Sequence, residues 1–398
     1  MSVTFPRGFR ASGVTAGMKP SGQPDLGLLV ADEPASAAGL FTTNAFAAHP
    51  VRIARARLAS GRARAVLVNS GQANAGTGPQ GEADALAATA AAAELLGIEP
   101  EAVVPCSTGV IGERIHLEEL TAALPALVRT LSPEGGEAFA RATMTTDTVD
   151  KQASAERGGY RVGGCAKGVG MIAPNLATML AFLTTDAPVP PEALRELATE
   201  TLAEPFGALT VDGCTSTNDT VLLLASGAAG GDPVLRGTRP WAELAQAVGE
   251  VAESLVGQLA RDAEGATHVL RVSVEGARED AEARRVAKAI AESPLVKTAA
   301  WGGDPNPGRI LQAIGSSGAS PDPSSVRVWI GGVPVIEGGW IVPAYFSPDA
   351  SLREAARAAM AEPEIRIRVE LGSGPGRGRA IGCDLSCEYV RINGEYTT

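Results

Sequence analysis

At the centre of the chain stands the stretch Gly163-Gly-Cys-Ala-Lys-Gly-Val-Gly-Met-Ile-Ala-Pro-Asn-Leu-Ala-Thr178-Met-Leu-Ala-Phe-Leu-Thr-Thr-Asp186. Its first eight residues include four glycines, which permit positive φ angles or a close approach of two backbones. Pro174 and Asn175 predict a turn, and the apolar run after them predicts a buried strand at Met179–Leu183. Thr178 stands at the edge of that strand, where a threonine by itself also fits a purely structural role.

Helices and strands mix irregularly on both sides of this stretch. Two apolar strands, Ala65–Val68 and Ala102–Pro105, are each followed by a predicted turn, at Asn69–Gly71 and Cys106–Gly109. Between them, an Ala-rich helix at Glu82–Leu96 ends at a glycine. Further helices are predicted at Leu117–Leu131, Pro191–Glu204, Trp241–Asp262, Arg278–Glu292 and Ser351–Ala361. Further strands are predicted at Ala208–Val211, Val221–Leu224, Val269–Val274, Val326–Ile330 and Ile365–Leu371.

The order of these elements predicts the fold class. Strict alternation of strand and helix is absent, so we expect a layered α+β fold rather than a Rossmann sheet. The segment Ile365–Leu371 alternates apolar and polar residues, which is typical of a sheet with one solvent-facing side. A boundary near Gly276 divides the chain into a core at residues 1–276, a smaller C-terminal α/β domain at 277–388 and a tail at 389–398. The glycine-rich run Gly372–Gly378 fits no phosphate-binding pattern and predicts a hairpin turn.

Composition excludes several functional classes. With a net charge of −11, the chain lacks the clustered basic residues of a nucleic-acid binder. No apolar run approaches the roughly 20 residues of a membrane span, and the N-terminus lacks the apolar segment of a secretory signal. Five scattered cysteines indicate reduced thiols and a cytoplasmic protein. Cys383 and Cys387 have no further ligands for zinc, so we expect two thiols on one strand and no metal.

The scarcity of histidine directs attention to hydroxyl chemistry. The chain has three histidines, His49, His116 and His268, none in a metal-binding pair and none accompanied by a Gly-x-Ser-x-Gly elbow. A threonine can act without histidine when its own α-amino group, freed by cleavage of the preceding peptide bond, accepts its proton. The reference pKa of an α-amine is about 7.7–8.0, which suits this task near neutral pH.

A set of sequence blocks resembles the ornithine acetyltransferase family, the bifunctional glutamate N-acetyltransferases of arginine biosynthesis. The central block, Lys167–Leu180, is similar to the processing motif of that family. The other blocks follow in order along the chain: Ser12–Gly17, Gly39–Asn44, Val68–Ala75, Cys106–Glu113, Met144–Thr148, Asp212–Thr220, Asp262–Thr267, Leu295–Thr298, Gly303–Asn306 with Gly308-Arg309, and Tyr389–Thr398.

The resemblance implies an activity and a nucleophile. Cleavage between Ala177 and Thr178 would give chains of 177 and 221 residues that together build the core and associate as an α2β2 heterotetramer. Thr178 would take acetyl from N-acetylornithine and pass it to glutamate in a ping-pong cycle. No cofactor is implied, although acetyl-CoA is open as a second acetyl donor. Thr108 and Gly109 match the oxyanion hole of the family; without the family, a turn that closes the strand would be the preferred explanation.

The resemblance also implies a substrate pocket, lined by Thr145, Lys167, Glu264, Asn393 and Thr398, the last reaching it only if the tail folds back. Taken alone, Lys167 and Glu264 fit solvated surface charges, and Asn393 fits a turn. The chain departs from the common family pattern at Gln72 (Asn), Gly76 (Cys), His268 (Lys) and Pro307 (Trp). These departures leave open a paralogue with another acceptor. Two further alternatives are a hydrolase of related fold, an amidase or aminopeptidase that passes the acyl group to water, and a binding scaffold without activity.

Overall fold

The structure is a computed structural model that describes residues 2–173 and 179–395. The predicted site residues Ala177, Thr178 and Thr398 lie outside the described residues. The described part of the chain forms two compact units. One contains the residues up to Gly207 together with Thr215–Leu259, and the other contains Ala208–Cys214 together with the residues from Ala260 onwards. None of the helices in these ranges is long and apolar enough to cross a bilayer.

The first unit is built on one large sheet. Its strands are β1 (Phe9–Val14), β2 (Leu26–Phe41), β3 (Arg62–Gln72), β4 (Val103–Val110), β5 (Lys151–Arg157), β6 (Tyr160–Lys167), β7 (Leu180–Thr185) and β8 (Thr220–Ala225). Its helices are α1 (His49–Arg57), α2 (Gly78–Leu96), α3 (Leu117–Arg129), α4 (Gly136–Thr143), α5 (Pro191–Gly207) and α6 (Arg239–Arg261). Among the described residues the sheet has eight strands in the order β4-β3-β2-β8-β7-β6-β5, with β1 paired to β2.

Both faces of this sheet are buried, because successive side chains of a strand point to opposite sides. Leu26 and Leu28 of β2 pack in a cluster with α2 and α3. The intervening Leu29 belongs to a second cluster that contains Phe139 of α4 and Phe182 of β7. The two aromatic rings meet edge to face, with centroids 5.1 Å apart. Helices on both faces explain why the fully buried strands β7 and β8 are nearly continuous apolar runs.

The strands β3 and β4 continue past the turns that the sequence predicts after Val68 and Pro105. They pair in parallel as far as Gln72 and Val110, so both turn predictions are wrong. Gly109 has a φ of 131°, and a Cβ on it would lie 2.2 Å from the carbonyl oxygen of Gly71 on the neighbouring strand. The glycines therefore permit two strand backbones to approach closely, rather than reversing the chain.

The second unit has its own sheet and core. Its strands are β9 (Val269–Ala277), β10 (Arg327–Ile330), β11 (Val333–Glu337), β12 (Trp340–Ile341), β13 (Glu364–Glu370) and β14 (Gly376–Cys383), and its helices are α7 (Asp280–Glu292), α8 (Pro294–Trp301), α9 (Pro307–Ser316), α10 (Ser351–Met360) and α11 (Cys387–Glu395). Within the described residues its sheet has six strands in the order β12-β11-β10-β13-β9-β14. Ile365, Ile367 and Val369 of β13 alternate with exposed arginines and pack in one core with α7 and α9. The predicted boundary near Gly276 falls within β9.

The glycine-rich run Gly372–Gly378 is not a hairpin turn, contrary to the sequence prediction. The strands before and after it, β13 and β14, do not pair with each other, because each pairs with β9 from an opposite side. The run instead passes over the end of β9, where the Gly374 N–H donates to the Gly276 carbonyl oxygen at 3.2 Å. A hairpin requires neighbouring strands, and a local glycine pattern does not reveal which strand lies between.

Two smaller predictions are also corrected. The proposed strand Ala208–Val211 reduces to a single bridge between Leu209 and Ile381. Cys383 and Cys387 do not share a strand: Cys383 is the buried end of β14, whereas Cys387 is exposed at the start of α11. The α+β fold class itself is confirmed, since both units combine helices with sheets that contain parallel and antiparallel pairs.

Candidate active site

Three predicted residues of the first unit lie in contact, with Lys167 joining the other two, Thr108 and Thr145. Lys167 ends β6, and only 2% of its surface is exposed. Its Nζ donates to Thr108 Oγ1 at 3.0 Å and to Thr145 Oγ1 at 2.9 Å. The alternative of a solvated surface charge is therefore wrong for Lys167. A buried ammonium group beside two hydroxyls is a set of donors that suits a carboxylate or a developing oxyanion.

The hydroxyl of Thr108 is oriented to act as a donor. Because Lys167 donates to Thr108 Oγ1, the hydroxyl hydrogen is directed toward another acceptor. Thr108 is buried within β4 and is followed by Gly109, so the alternative of a turn at the end of a strand is wrong. The two predicted oxyanion donors, the Thr108 hydroxyl and the Gly109 N–H, thus belong to consecutive residues of β4.

Two charged residues that the sequence did not lead us to predict, Asp147 and Lys151, lie beside this cluster. Asp147 Oδ1 accepts from Lys151 Nζ at 2.7 Å and from the Gly168 N–H at 2.8 Å, and both side chains of the ion pair are 0% exposed. Asp147 Oδ2 accepts from the Thr145 N–H at 3.1 Å. Burial raises the pKa of Asp147, but the charges of Lys167 and Lys151 and the hydrogen bonds outweigh it, so the pKa falls below its usual value.

Lys19 is a third lysine near this cluster. Its Nζ donates to the carbonyl oxygens of Pro24 at 2.7 Å and Met144 at 2.6 Å. Burial, aided by the charge of Lys167, lowers the pKa of Lys19 to about 8, against the opposing influence of Asp25 and Asp147. Three of the five lysines of the chain therefore lie near one another. The scarcity of lysine in the sequence was a signal that could have identified Lys19 and Lys151.

Met179, the first described residue after Thr178, is held by Asp219. The Met179 N–H donates to Asp219 Oδ1 at 3.1 Å, and the Met179 carbonyl oxygen accepts the Thr220 N–H at 3.1 Å. Asp219 is fully buried, and this loss of water raises its pKa well above the usual value. The residue belongs to the block Asp212–Thr220 but was not predicted to line the site.

In the second unit, two predicted residues are in contact. Asn393 lies in α11, not in a turn as the alternative held, and its Nδ2 donates to Glu264 Oε2 at 2.8 Å. The same Nδ2 donates to the Tyr389 carbonyl oxygen at 3.1 Å. The Tyr389 hydroxyl donates to Asp212 Oδ2 at 3.2 Å, and burial together with Asp212 raises the pKa of Tyr389. A carboxylate is the type of group that binds an ammonium group.

The departures from the family pattern occupy definite positions. Gln72 ends β3 and is buried; its Nε2 donates to the Met18 carbonyl oxygen at 2.9 Å, while Oε1 has no partner among residues 2–173 and 179–395. His268 Nδ1 lies 2.8 Å from Thr267 Oγ1 and 3.4 Å from Asp384 Oδ2. Pro307 begins α9, where its missing N–H costs nothing, and Gly76 has a φ of 69°.

Comparisons with known proteins show which family this chain belongs to. The model of the ArgJ family matches residues 10–398. An arginine biosynthesis bifunctional protein ArgJ from Thermus thermophilus is 48% identical, with 100% of both chains covered. The protein of the same name from Thermosynechococcus vestitus is 47% identical, covering 100% of this chain and 98% of its own. A crystal structure of the Bacillus halodurans protein of this name is 41% identical, covers 55% of this chain and 100% of its own, and has a TM-score of 0.52. The ordered sequence blocks and the full-length match together show that this chain belongs to the ArgJ family.

Proposed function

We propose that the protein transfers acetyl from N2-acetyl-L-ornithine to L-glutamate through an acetyl-Thr178 intermediate, in arginine biosynthesis. The observation that carries the proposal is the buried contact of Lys167 with Thr108 and Thr145, in a chain that matches the ArgJ family from residue 10 to residue 398. Acyl transfer needs a nucleophile, its base and donors for the oxyanion. The sequence supplies the first two at Thr178, and the cluster supplies the third.

Self-cleavage prepares the nucleophile. Thr178 Oγ attacks the carbonyl carbon of Ala177, the peptide bond breaks, and the nitrogen of residue 178 takes up a proton as an amine. Water then hydrolyses the resulting ester and releases the carboxylate of Ala177. The whole of the solved Bacillus halodurans chain covers 55% of this chain, and the predicted C-terminal product holds a similar share, 221 of 398 residues.

The transfer cycle uses the same hydroxyl. The α-amine of residue 178 accepts the proton of Thr178 Oγ, which attacks the acetyl carbonyl; ornithine leaves with a proton on its nitrogen, and the amine of glutamate then reverses the sequence. The Thr108 hydroxyl and the Gly109 N–H donate to the oxyanion. Lys167 attracts the substrate carboxylate, and Glu264 with Asn393 receives the side-chain ammonium of ornithine. Thr145 and Thr398 complete the pocket.

Ornithine release tests the transfer. N-acetylornithine is supplied with and without glutamate, and free ornithine is followed over time. A transferase releases ornithine in proportion to glutamate after a first turnover, whereas release at the same rate without glutamate identifies the hydrolase alternative. Glutamate analogues in the same assay test a different acceptor, and acetyl-CoA as sole donor tests whether it serves as a second acetyl source.

The proposal extends to assembly and location. We infer a heterotetramer of two N-terminal and two C-terminal chains, without a cofactor or metal, in the cytoplasm. Five scattered cysteines, an odd number that suits reduced thiols, support that location. Native mass spectrometry tests the stoichiometry, and an intact chain of 398 residues would contradict the cleaved assembly.

A further inference from the structure

The carboxyl group of Asp219 stands at the point where the predicted C-terminal chain begins. Asp219 immediately precedes β8, and its side chain is 0% exposed. Its Oδ1 accepts the Met179 N–H at 3.1 Å, while the next residue, Thr220, donates its N–H to the Met179 carbonyl oxygen at 3.1 Å. Both backbone polar groups of Met179 are therefore fixed by residues 219 and 220.

The second carboxyl oxygen of Asp219, Oδ2, does not contribute to holding Met179. Among the described residues, Oδ2 is buried and has no hydrogen-bond partner. An ionised carboxylate in that condition loses more free energy of hydration than its surroundings return. Burial raises the pKa of Asp219 and outweighs the charge of Lys167 and the hydroxyls of Thr42 and Ser216, which favour ionisation. Before a cationic partner is present, the neutral acid is the favoured form.

Cleavage would supply such a partner. It would leave an α-amino group on residue 178, which directly precedes Met179 in the sequence. One residue of chain spans at most about 3.6 Å, and the Met179 nitrogen is 3.1 Å from Asp219 Oδ1. Covalent geometry therefore confines the new amine to the neighbourhood of this carboxyl. An amine must present its lone pair to a hydroxyl in order to act as a base, and an acceptor for one N–H would fix that orientation.

We propose that Asp219 is a positioning residue for the α-amino group released at residue 178, with Oδ2 accepting one of its N–H hydrogens. The inference rests on the proposed function, because it requires cleavage before residue 178. The proton that the acid gives up passes to the amine, so the pair carries no net charge. The resulting ammonium loses one proton to solvent before it can act as a base. Lys167 is the charged side chain that acts on Asp219 among the described residues.

The variant Asp219→Asn tests this role. The amide keeps the size of the side chain and an oxygen for the Met179 N–H, but it removes the charge. We expect complete cleavage, a KM for N-acetylornithine within about twofold of wild type and a kcat reduced about 10²-fold. A nearby carboxylate raises the pKa of the α-amine, because it favours the ammonium form. Without it, the pKa of the amine falls, and the acid limb of the pH profile of kcat/KM should move down by about one pH unit. Asp219→Glu restores the charge but displaces the carboxyl by one methylene, so it should recover the wild-type acid limb while its kcat stays at least tenfold lower.

Asp186→Asn is the matched control. Asp186, which directly follows β7, is also a buried carboxyl next to a strand end. Both of its oxygens have partners: Arg7 Nε donates to Oδ2 at 2.8 Å and the Arg161 N–H donates to Oδ1 at 2.9 Å. If Asp186→Asn costs stability, its pH profile should still match the wild type. This separates loss of a buried acid in general from loss of the acid beside Met179.

The outcomes divide clearly. Folded Asp219→Asn with a wild-type kcat and acid limb overturns the inference, and so does folded Asp219→Asn that stays uncleaved, since its defect then precedes the amine. Should Asp219→Asn not fold, Asp219→Glu decides: a kcat at least tenfold lower with cleavage intact supports positioning, and a wild-type kcat overturns it. A wild-type chain that stays intact overturns the proposed function together with this inference.

Discussion

Thr178 carries both the processing and the transfer chemistry in this proposal, because one hydroxyl attacks first a peptide and then an acetyl group. We expect Thr178→Ala to stay as one chain and to lose turnover. Thr178→Ser should retain part of both, since it keeps the hydroxyl and the α-amine. Intact mass shows cleavage, and ornithine release shows turnover. Two chains from Thr178→Ala would refute autocatalysis by this residue.

Removing the Lys167 ammonium group should strongly slow acetyl transfer, although Lys167 is not one of the reacting groups in the cleavage step. Lys167→Met keeps the length of the side chain but removes the donor to Thr108 and Thr145. We expect kcat/KM to fall about 10²–10³-fold, the cost of losing an oriented oxyanion donor. Lys288→Met is the control, because Lys288 forms a partly exposed ion pair with Glu292 in another part of the chain. Equal activities of the two variants would contradict a role for Lys167.

The titration of Lys19 gives a pH dependence. Its pKa falls from 10.5 in the unfolded chain to about 8 in the folded one. Between these values the unfolded chain binds more protons, so this group makes the folded state relatively more stable as pH rises through the window. Below the window the group adds an unfavourable buried charge. The change in melting temperature caused by Lys19→Met should therefore be more favourable at pH 7 than at pH 10. A shift of equal size at both pH values would contradict the assignment.

At the scale of elements, the close approach of β3 and β4 depends on glycine. A side chain at Gly109 would need a φ of 131° and would place its Cβ 2.2 Å from Gly71. We expect Gly109→Ala to destabilise the protein by roughly 2–3 kcal/mol or more, measured by chemical unfolding. Gly112→Ala is the control, because Gly112 also has a positive φ, 89°, but apart from its chain neighbours no atom of the described residues lies within 4 Å of its Cβ position. Similar losses from the two substitutions would assign the cost to φ alone.

The order of strands also explains where the sequence was misread. Helices such as α2, α3 and α7 were predicted to within a few residues, because apolar spacing and terminal glycines are local signals. The run Gly372–Gly378 was misread because β9 lies between β13 and β14. The strands β3 and β4 were ended too early because glycine is a turn signal unless a neighbouring backbone occupies the place of its side chain.

At the scale of the whole molecule, cleavage before residue 178 would not release the C-terminal chain from the first sheet. The strands β7 and β8 follow the cleavage site in sequence, yet they lie between β6 and β2, which precede it. Hydrogen-bonded pairing on both sides should keep the two chains together. We expect them to elute as one species in native size exclusion and to separate only in denaturant. Separate native elution would contradict this strand order.

Thiol labelling tests the fold of both units at once. Cys214 and Cys387 are exposed, whereas Cys106, Cys165 and Cys383 are buried, and burial raises the pKa of each buried thiol. A thiol reagent should modify two cysteines of the native protein rapidly and all five after unfolding. Peptide mapping identifies them. Rapid native labelling of Cys106 or Cys165 would contradict the packing of the first sheet.

The sequence by itself determined the family, the identity of the proposed nucleophile and most of the helices, because these depend on short blocks and on local periodicity. Only the tertiary structure decided that Lys167 contacts Thr108 and Thr145, that Lys19, Lys151 and Asp147 stand nearby, and that Asp219 holds the residue after Thr178. These partners are separated by up to 148 positions, and a contact over such a distance depends on which strands pair. Strand pairing is set by the burial of both faces of the sheet, which no single segment encodes.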